Sequence, residues 1–138
     1  MAAMAIDFTL SPELEDIRLR VRTFIDEVVK PGEAQISASR IGNSERMDRK
    51  EYLSLLMGMR QAAKDAGLWL PQMPIEWGGM GLGHVELAMV QAEAAKTSYG
   101  PFVLNCQAPD EGNMHTLLHW ATPEQQEKYC ARCATATR

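Results

Sequence analysis

The sequence has little cysteine, no long apolar run and no basic stretch. Its three cysteines are too few for a disulfide framework, so we expect a reducing compartment. No run of about 18 apolar residues occurs, which predicts no membrane span, and the first residues lack the features of a signal peptide. The net charge of −4, without a cluster of Lys and Arg, indicates no nucleic-acid partner.

Signals for β-structure are missing as well. No stretch alternates between apolar and polar residues over six positions, and no Asn-Gly hairpin signal occurs. The apolar fraction of 46% and the charged fraction of 23% are ordinary for a globular protein. The 138 residues therefore predict one all-α domain, a helical bundle of about five or six helices, which we expect to be soluble, intracellular and, if bacterial, cytoplasmic.

Apolar residues at three- and four-residue steps predict three long helices. The first begins at the N-cap Ser11 and is predicted to stop at Pro31 and the glycine after it. The second runs from near Asp48 to Gly67, and the third covers roughly 84–97.

Irregular segments separate these helices. Residues 31–47 show no steady period and predict a loop or a short irregular helix, and residues 68–83 predict a loop with large apolar anchors. Pro109 lies inside the helical segment 99–121, which implies a kink or two consecutive helices. Thr122 is predicted to cap a last helix that reaches at least Tyr129.

Four glycines in the 68–83 loop suggest a phosphate-binding loop at first sight: Gly78, Gly79, Gly81 and Gly83. Their spacing is G-G-x-G-x-G, no G-K-[ST] follows, and no buried strand precedes them. A tight structural turn is the better interpretation.

Two histidines and two cysteines have metal-ligand spacing. His115 and His119 share a helical face, and Cys130 and Cys133 follow as C-x-x-C, so a small zinc-binding helical protein is one alternative. The order is the reverse of a usual zinc finger, and a helix this rich in Leu and Trp needs no metal. Incidental side chains are therefore the simpler interpretation, and a redox C-x-x-C lacks the βαβ context it requires.

The order of segments resembles the N-terminal helical domain of the acyl-CoA dehydrogenases over residues 6–129. The resemblance is carried by D-F-T-L-S-P-E-L (7–14), A-G-L-W-L-P (66–71), E-W-G-G-M-G-L-G (76–83), A-E (92–93), S-Y-G (98–100) and E-Q-Q-E-K-Y (124–129). Residues 105–114 look closest to the branch that acts on longer or unusual acyl-CoAs.

The resemblance implies an enzyme that removes the α and β hydrogens of a fatty acyl-CoA. In that family a carboxylate takes the α proton, FAD takes the hydride, an electron-transfer flavoprotein accepts the electrons, and the enzyme is usually a homo-oligomer. The family's base and flavin site lie in other domains. We therefore expect no catalytic, cofactor-binding or metal residue in this chain, and no activity or bound cofactor for this part alone.

The resemblance also implies that the domain packs beside the acyl chain. Carried over, Asn105, Cys106, Pro109 and Asn113 would face that chain. Their three- and four-residue spacing is consistent with one helical face. Ordinary packing against a neighbouring helix would give the same pattern.

The pattern departs from the family after Tyr129. Residues 130–138 read C-A-R-C-A-T-A-T-R, and with freely chosen third bases one added nucleotide turns them into Leu-Arg-Pro-Leu-Cys-Asp-Gly-Asp-Thr, the kind of sequence that the family has there. We therefore interpret 130–138 as a divergent tail translated out of frame. A stand-alone helical interaction module is the remaining alternative.

Overall fold

The structure is a computed structural model that describes residues 9–39 and 47–135, with side chains as far as Cys130. Every regular element in those ranges is helical, which confirms the all-α prediction. The elements are α1 (Pro12–Phe24), a π-helical turn (Ile25–Val29), α2 (Lys30–Ala38), α3 (Arg49–Asp65), a 3-10 turn (Ile75–Trp77), α4 (His84–Ala94), α5 (Gly100–Leu104), α6 (Asp110–Trp120) and α7 (Pro123–Thr135). Among these, no helix is both long and apolar enough to cross a membrane.

The first helix does not stop at Pro31, contrary to the prediction. The Lys30 amide donates to the Ile25 carbonyl, a five-residue step, and this wider π-helical turn accommodates a proline that has no N–H to donate. Gly32 then lies against α3, since a Cβ there would be 2.5 Å from Met59 Sδ. Close packing of α2 on α3 explains that glycine. Of the two predicted alternatives for this segment, residues 31–38 thus form a short helix and not a loop, and 40–46 lie outside the described residues.

Helix α3 begins and ends where the sequence predicts. Asp48 accepts from the Glu51 amide at 2.8 Å, and Glu51 accepts from the Asp48 amide at 3.2 Å, forming a capping box. Gly67 follows the helix with a φ of +66°. The α3 face that meets the core carries Leu56, Met59 and Ala63.

The loop after α3 is closed by its own backbone, as predicted for a tight turn. The Met80 amide donates to the Leu70 carbonyl, and the Gly81 amide donates to the Met73 carbonyl at 2.8 Å. Gly79 fits between these carbonyls because it has no Cβ; one would overlap with the Met73 carbonyl oxygen. Leu70 and Met73 are buried, so the loop is part of the core.

The core lies where α1 packs on α4 and α3 packs on α5. Helix α4 ends at Ala94, a few residues before the predicted end, and Ala95 is exposed. Helix α7 packs on α6. The Thr122 side chain accepts from the Gln125 amide at 3.3 Å, which confirms the predicted cap of α7.

Candidate functional site

The predicted site lies where α5 ends and α6 begins, and we call residues 105–109 the junction. Asn105 ends α5 with a φ of +56°, and the chain is not helical again until Asp110. Two consecutive helices therefore occupy this segment, as one of the two predictions has it. The argument from a shared helical face is wrong, because Asn105 and Cys106 precede α6 and are buried, whereas Pro109 and Asn113 are exposed. A role for these residues beside an acyl chain stays a prediction.

Two glutamine side chains hold the junction, and we call them the glutamine pair. Gln72 Nε2, from the loop after α3, donates to the Asn105 carbonyl at 2.8 Å. Gln91 Nε2, from α4, donates to the Cys106 carbonyl at 3.1 Å and to Glu111 Oε2 at 2.9 Å. The junction is thus attached to two other elements of the fold. Sequence reasoning missed both glutamines, since no pattern marks a contact across 33 or 15 residues.

Cys106 is buried in the junction as a neutral thiol. Burial, together with the negative charge of Glu111, raises its pKa to about 12. A thiol with such a pKa is a poor nucleophile and a poor metal ligand. Cys106 therefore acts as a small apolar group.

Helix α6 has an exposed face that continues from the junction. Pro109, Asn113, Thr116 and Trp120 follow one another at steps of four, three and four residues, and we call them the outer stripe. Trp120 is 86% exposed. All four side chains are uncharged, so the stripe is a surface without charge. Thr116 and Trp120 could have been found by extending the helical step from Asn113.

The zinc alternative has no support in the described side chains. These contain no group of three or more His, Cys, Asp and Glu residues that could hold a metal ion. His119 is exposed, whereas Cys130 is buried, and burial raises the pKa of its thiol. The Cys133 side chain lies outside the described residues.

A buried carboxylate joins α1 to α4 away from the junction. Glu93 accepts from Arg22 Nη2 at 2.8 Å, from Arg18 Nη1 at 3.0 Å and from Lys96 Nζ. Burial alone would raise the pKa of Glu93, but the three donors outweigh it and hold the pKa at about 2. No local sequence pattern marks this contact, since Arg18 and Arg22 lie 75 and 71 residues before Glu93.

The family model for the N-terminal domain of acyl-CoA dehydrogenases matches residues 11–137. The chain belongs to this family. Acyl-CoA dehydrogenase family member 11 from human is 29% identical over 115 residues, or 83% of this chain, and the chicken protein of that name is 32% identical over 124 residues, or 88%. An acyl-CoA dehydrogenase structure from Mycobacterium abscessus matches 93% of the chain with a TM-score of 0.73 and 29% identity.

This acyl-CoA dehydrogenase domain spans a small part of those proteins. It covers 14% and 15% of the human and chicken relatives and 33% of the chain in the Mycobacterium abscessus structure. The resemblance read from the sequence is confirmed for the family and for the fold.

Proposed function

We propose that this chain serves as the N-terminal helical part of an FAD-dependent acyl-CoA dehydrogenase and forms one wall of the acyl pocket. The observation that carries the proposal is the uncharged outer stripe, which starts at the junction. From Pro109 to Trp120 the stripe extends about 16 Å along α6, which suits an extended hydrocarbon chain. Pro109 and Asn113 are exposed and offer contact surface, whereas Asn105 and Cys106 are buried at the start of the junction.

In this proposal the chain contributes binding and exclusion of water. In the proposed whole enzyme, FAD would be held outside the described residues and would supply the redox chemistry. The glycine-rich loop offers no cradle for the FAD phosphates, since its amides donate to carbonyls of the same loop. The outer stripe would cover one side of the acyl chain and keep water from it. The electron-transfer flavoprotein and the homo-oligomer belong to the proposal for the whole enzyme.

The test is photolabelling of the 138-residue chain with a fatty acyl-CoA that carries a diazirine at the end of its acyl chain. We expect the labelled peptides to contain residues 109–120, and unlabelled acyl-CoA to compete. Asn113→Trp would fill the surface and lower this labelling to background. His119→Trp is the matched control, since it adds the same side chain at an exposed position on another face of α6.

Label spread evenly over α1 to α3, or label that unlabelled acyl-CoA does not displace, would contradict the proposed wall. Equal loss of labelling in both tryptophan variants would show that bulk anywhere on α6 disturbs binding, and would contradict the role of this particular face.

A further inference from the structure

We infer that Gln72 and Gln91 are positioning residues that fix α6, and with it the outer stripe, relative to the core. Their geometry stands by itself, while its consequence for an acyl chain rests on the proposed function. Each glutamine holds one carbonyl of the junction and one side chain of α6. With these two contacts, each glutamine side chain forms a bridge between its own element and α6.

Gln72 forms the first bridge from the loop after α3. It is buried, and its Nε2 donates to the Asn105 carbonyl at 2.8 Å and lies 3.6 Å from Met114 Sδ. Met114 is the buried residue of α6. Gln72 therefore meets α6 at the point where that helix enters the core.

Gln91 forms the second bridge from α4. Its Nε2 donates to the Cys106 carbonyl at 3.1 Å and to a carboxylate oxygen of Glu111 at 2.9 Å. The bond to Glu111 involves a charged acceptor, which makes it stronger than a neutral one. Gln91 therefore fixes the first turn of α6 against α4.

These bridges matter because the junction interrupts the helical hydrogen bonding. The carbonyls of Asn105 and Cys106 follow the end of α5, so donors must come from elsewhere, and an unsatisfied buried carbonyl is costly. Among the described helices, α6 packs mainly on α7. At that far end Gln126, from α7, donates to the Leu117 and Leu118 carbonyls at 3.2 and 3.0 Å. The start of α6 is thus held by the glutamine pair together with the buried Met114.

Hydrogen exchange of the 138-residue chain, without ligand, tests the second bridge. The Glu111 and Asn113 amides report on it because they donate to the Gln107 and Pro109 carbonyls of the junction. In Gln91→Met we expect both amides to exchange about tenfold faster, as the loss of a hydrogen bond to a charged group implies, and the α1–α3 amides to keep their rates.

Gln61→Met is the matched control, since it removes an amide-to-carboxylate bond of 2.9 Å to Asp65 on α3. Its exchange at Glu111 and Asn113 should equal that of the unmodified chain. Unchanged rates at these two amides in Gln91→Met, or a uniform rise throughout the chain, would overturn the inference.

A double variant with the two side chains swapped, Gln91→Glu/Glu111→Gln, separates positioning from general stability. The swap keeps a bond between positions 91 and 111, but a carboxylate at position 91 cannot donate to the Cys106 carbonyl. We expect the Asn113 amide of this double variant to exchange as fast as in Gln91→Met. Recovery of the original rate would overturn the claim that the carbonyl must be held.

Gln72→Glu tests the first bridge through its pH dependence. The ionised side chain has no donor for the Asn105 carbonyl, whereas the protonated acid has one. Because burial raises the pKa of a carboxyl group, protection at Glu111 and Asn113 should be higher at pH 5 than at pH 9. Equal protection of the folded variant at both pH values would overturn the role of Gln72.

The photolabelling experiment distinguishes this inference from the proposed function. Faster exchange at Glu111 and Asn113 in Gln91→Met, together with failed labelling of the unmodified chain, would contradict the acyl wall and support the two glutamine bridges. Unchanged exchange together with successful labelling would contradict the bridges and leave the wall.

Discussion

Replacement of Glu93 by glutamine is the most informative perturbation of the fold. The carboxylate is 7% exposed and accepts from Arg18, Arg22 and Lys96. The Glu93→Gln substitution keeps the size of the side chain while removing its charge and one acceptor oxygen. The three cations then share one neutral amide oxygen, so the variant measures what the charge contributes.

The magnitude follows from the pKa of Glu93. Its folded-state pKa is about 2, against an ordinary 4.5, which corresponds to about 3 kcal/mol of stability from the ionised form. Water screens part of this contribution, since Arg22 and Lys96 are 41% and 43% exposed. We therefore expect Glu93→Gln to lower the free energy of unfolding by about 2 kcal/mol at pH 7.

The pH dependence gives the sign of the effect. Because the folded pKa is below the unfolded one, ionised Glu93 stabilises the protein fully above about pH 4.5 and progressively less as the pH falls toward 2. The difference between the two proteins should thus shrink across this window. Urea unfolding followed by tryptophan fluorescence at pH 7, 5, 4 and 3 measures it.

The matched control is Glu127→Gln, which changes an exposed carboxylate on α7. We expect a change in stability of less than about 0.5 kcal/mol for this control. A loss in Glu93→Gln that is the same at pH 7 and pH 3, or no larger than that of the control, would refute the reasoning.

Three further predictions concern the backbone, a helix cap and a thiol. Gly79→Ala should destabilise the chain by about 3 kcal/mol in urea unfolding, because the added Cβ meets two carbonyls. Gly112→Ala has open space around it and should stabilise α6 by about 0.5–1 kcal/mol. Equal effects of the two substitutions would contradict this reasoning. Asp48→Ala should cost about 1 kcal/mol in the same assay through loss of the capping box, and an unchanged midpoint would count against it. Cys106 should resist iodoacetamide at pH 8 in the folded chain and react in urea, as read by peptide mass spectrometry; rapid reaction of the folded protein would disprove its burial.

Local signals explain why much of the fold could be predicted. Ser11, Asp48 and Thr122 mark helix starts, and each cap depends on residues within one turn. Gly67 marks an end for an equally local reason. The periodicity of apolar residues predicted the helices themselves, since it follows the face that each helix buries.

The errors come from contacts that no short window contains. Pro31 resembles a helix stop, but a π-helical turn five residues long accommodates it. The glycine after it is explained by Met59 of a different helix, which leaves no room for a Cβ. The argument that the site residues share one helical face is wrong for a similar reason. The spacing of Asn105 and Asn113 is consistent with one helical face, but a left-handed residue at position 105 ends α5 and separates them.

The central claim is that the outer stripe of this acyl-CoA dehydrogenase domain contacts an acyl chain, and NMR titration of the ¹⁵N-labelled protein tests it most directly. Acyl-CoAs of increasing chain length should shift the amide signals of Asn113, Thr116 and Trp120, with larger shifts for longer chains, while free CoA should leave them in place. Shifts that are the same for CoA and acyl-CoA, or that lie on α2 and α3 instead of α6, would contradict the claim.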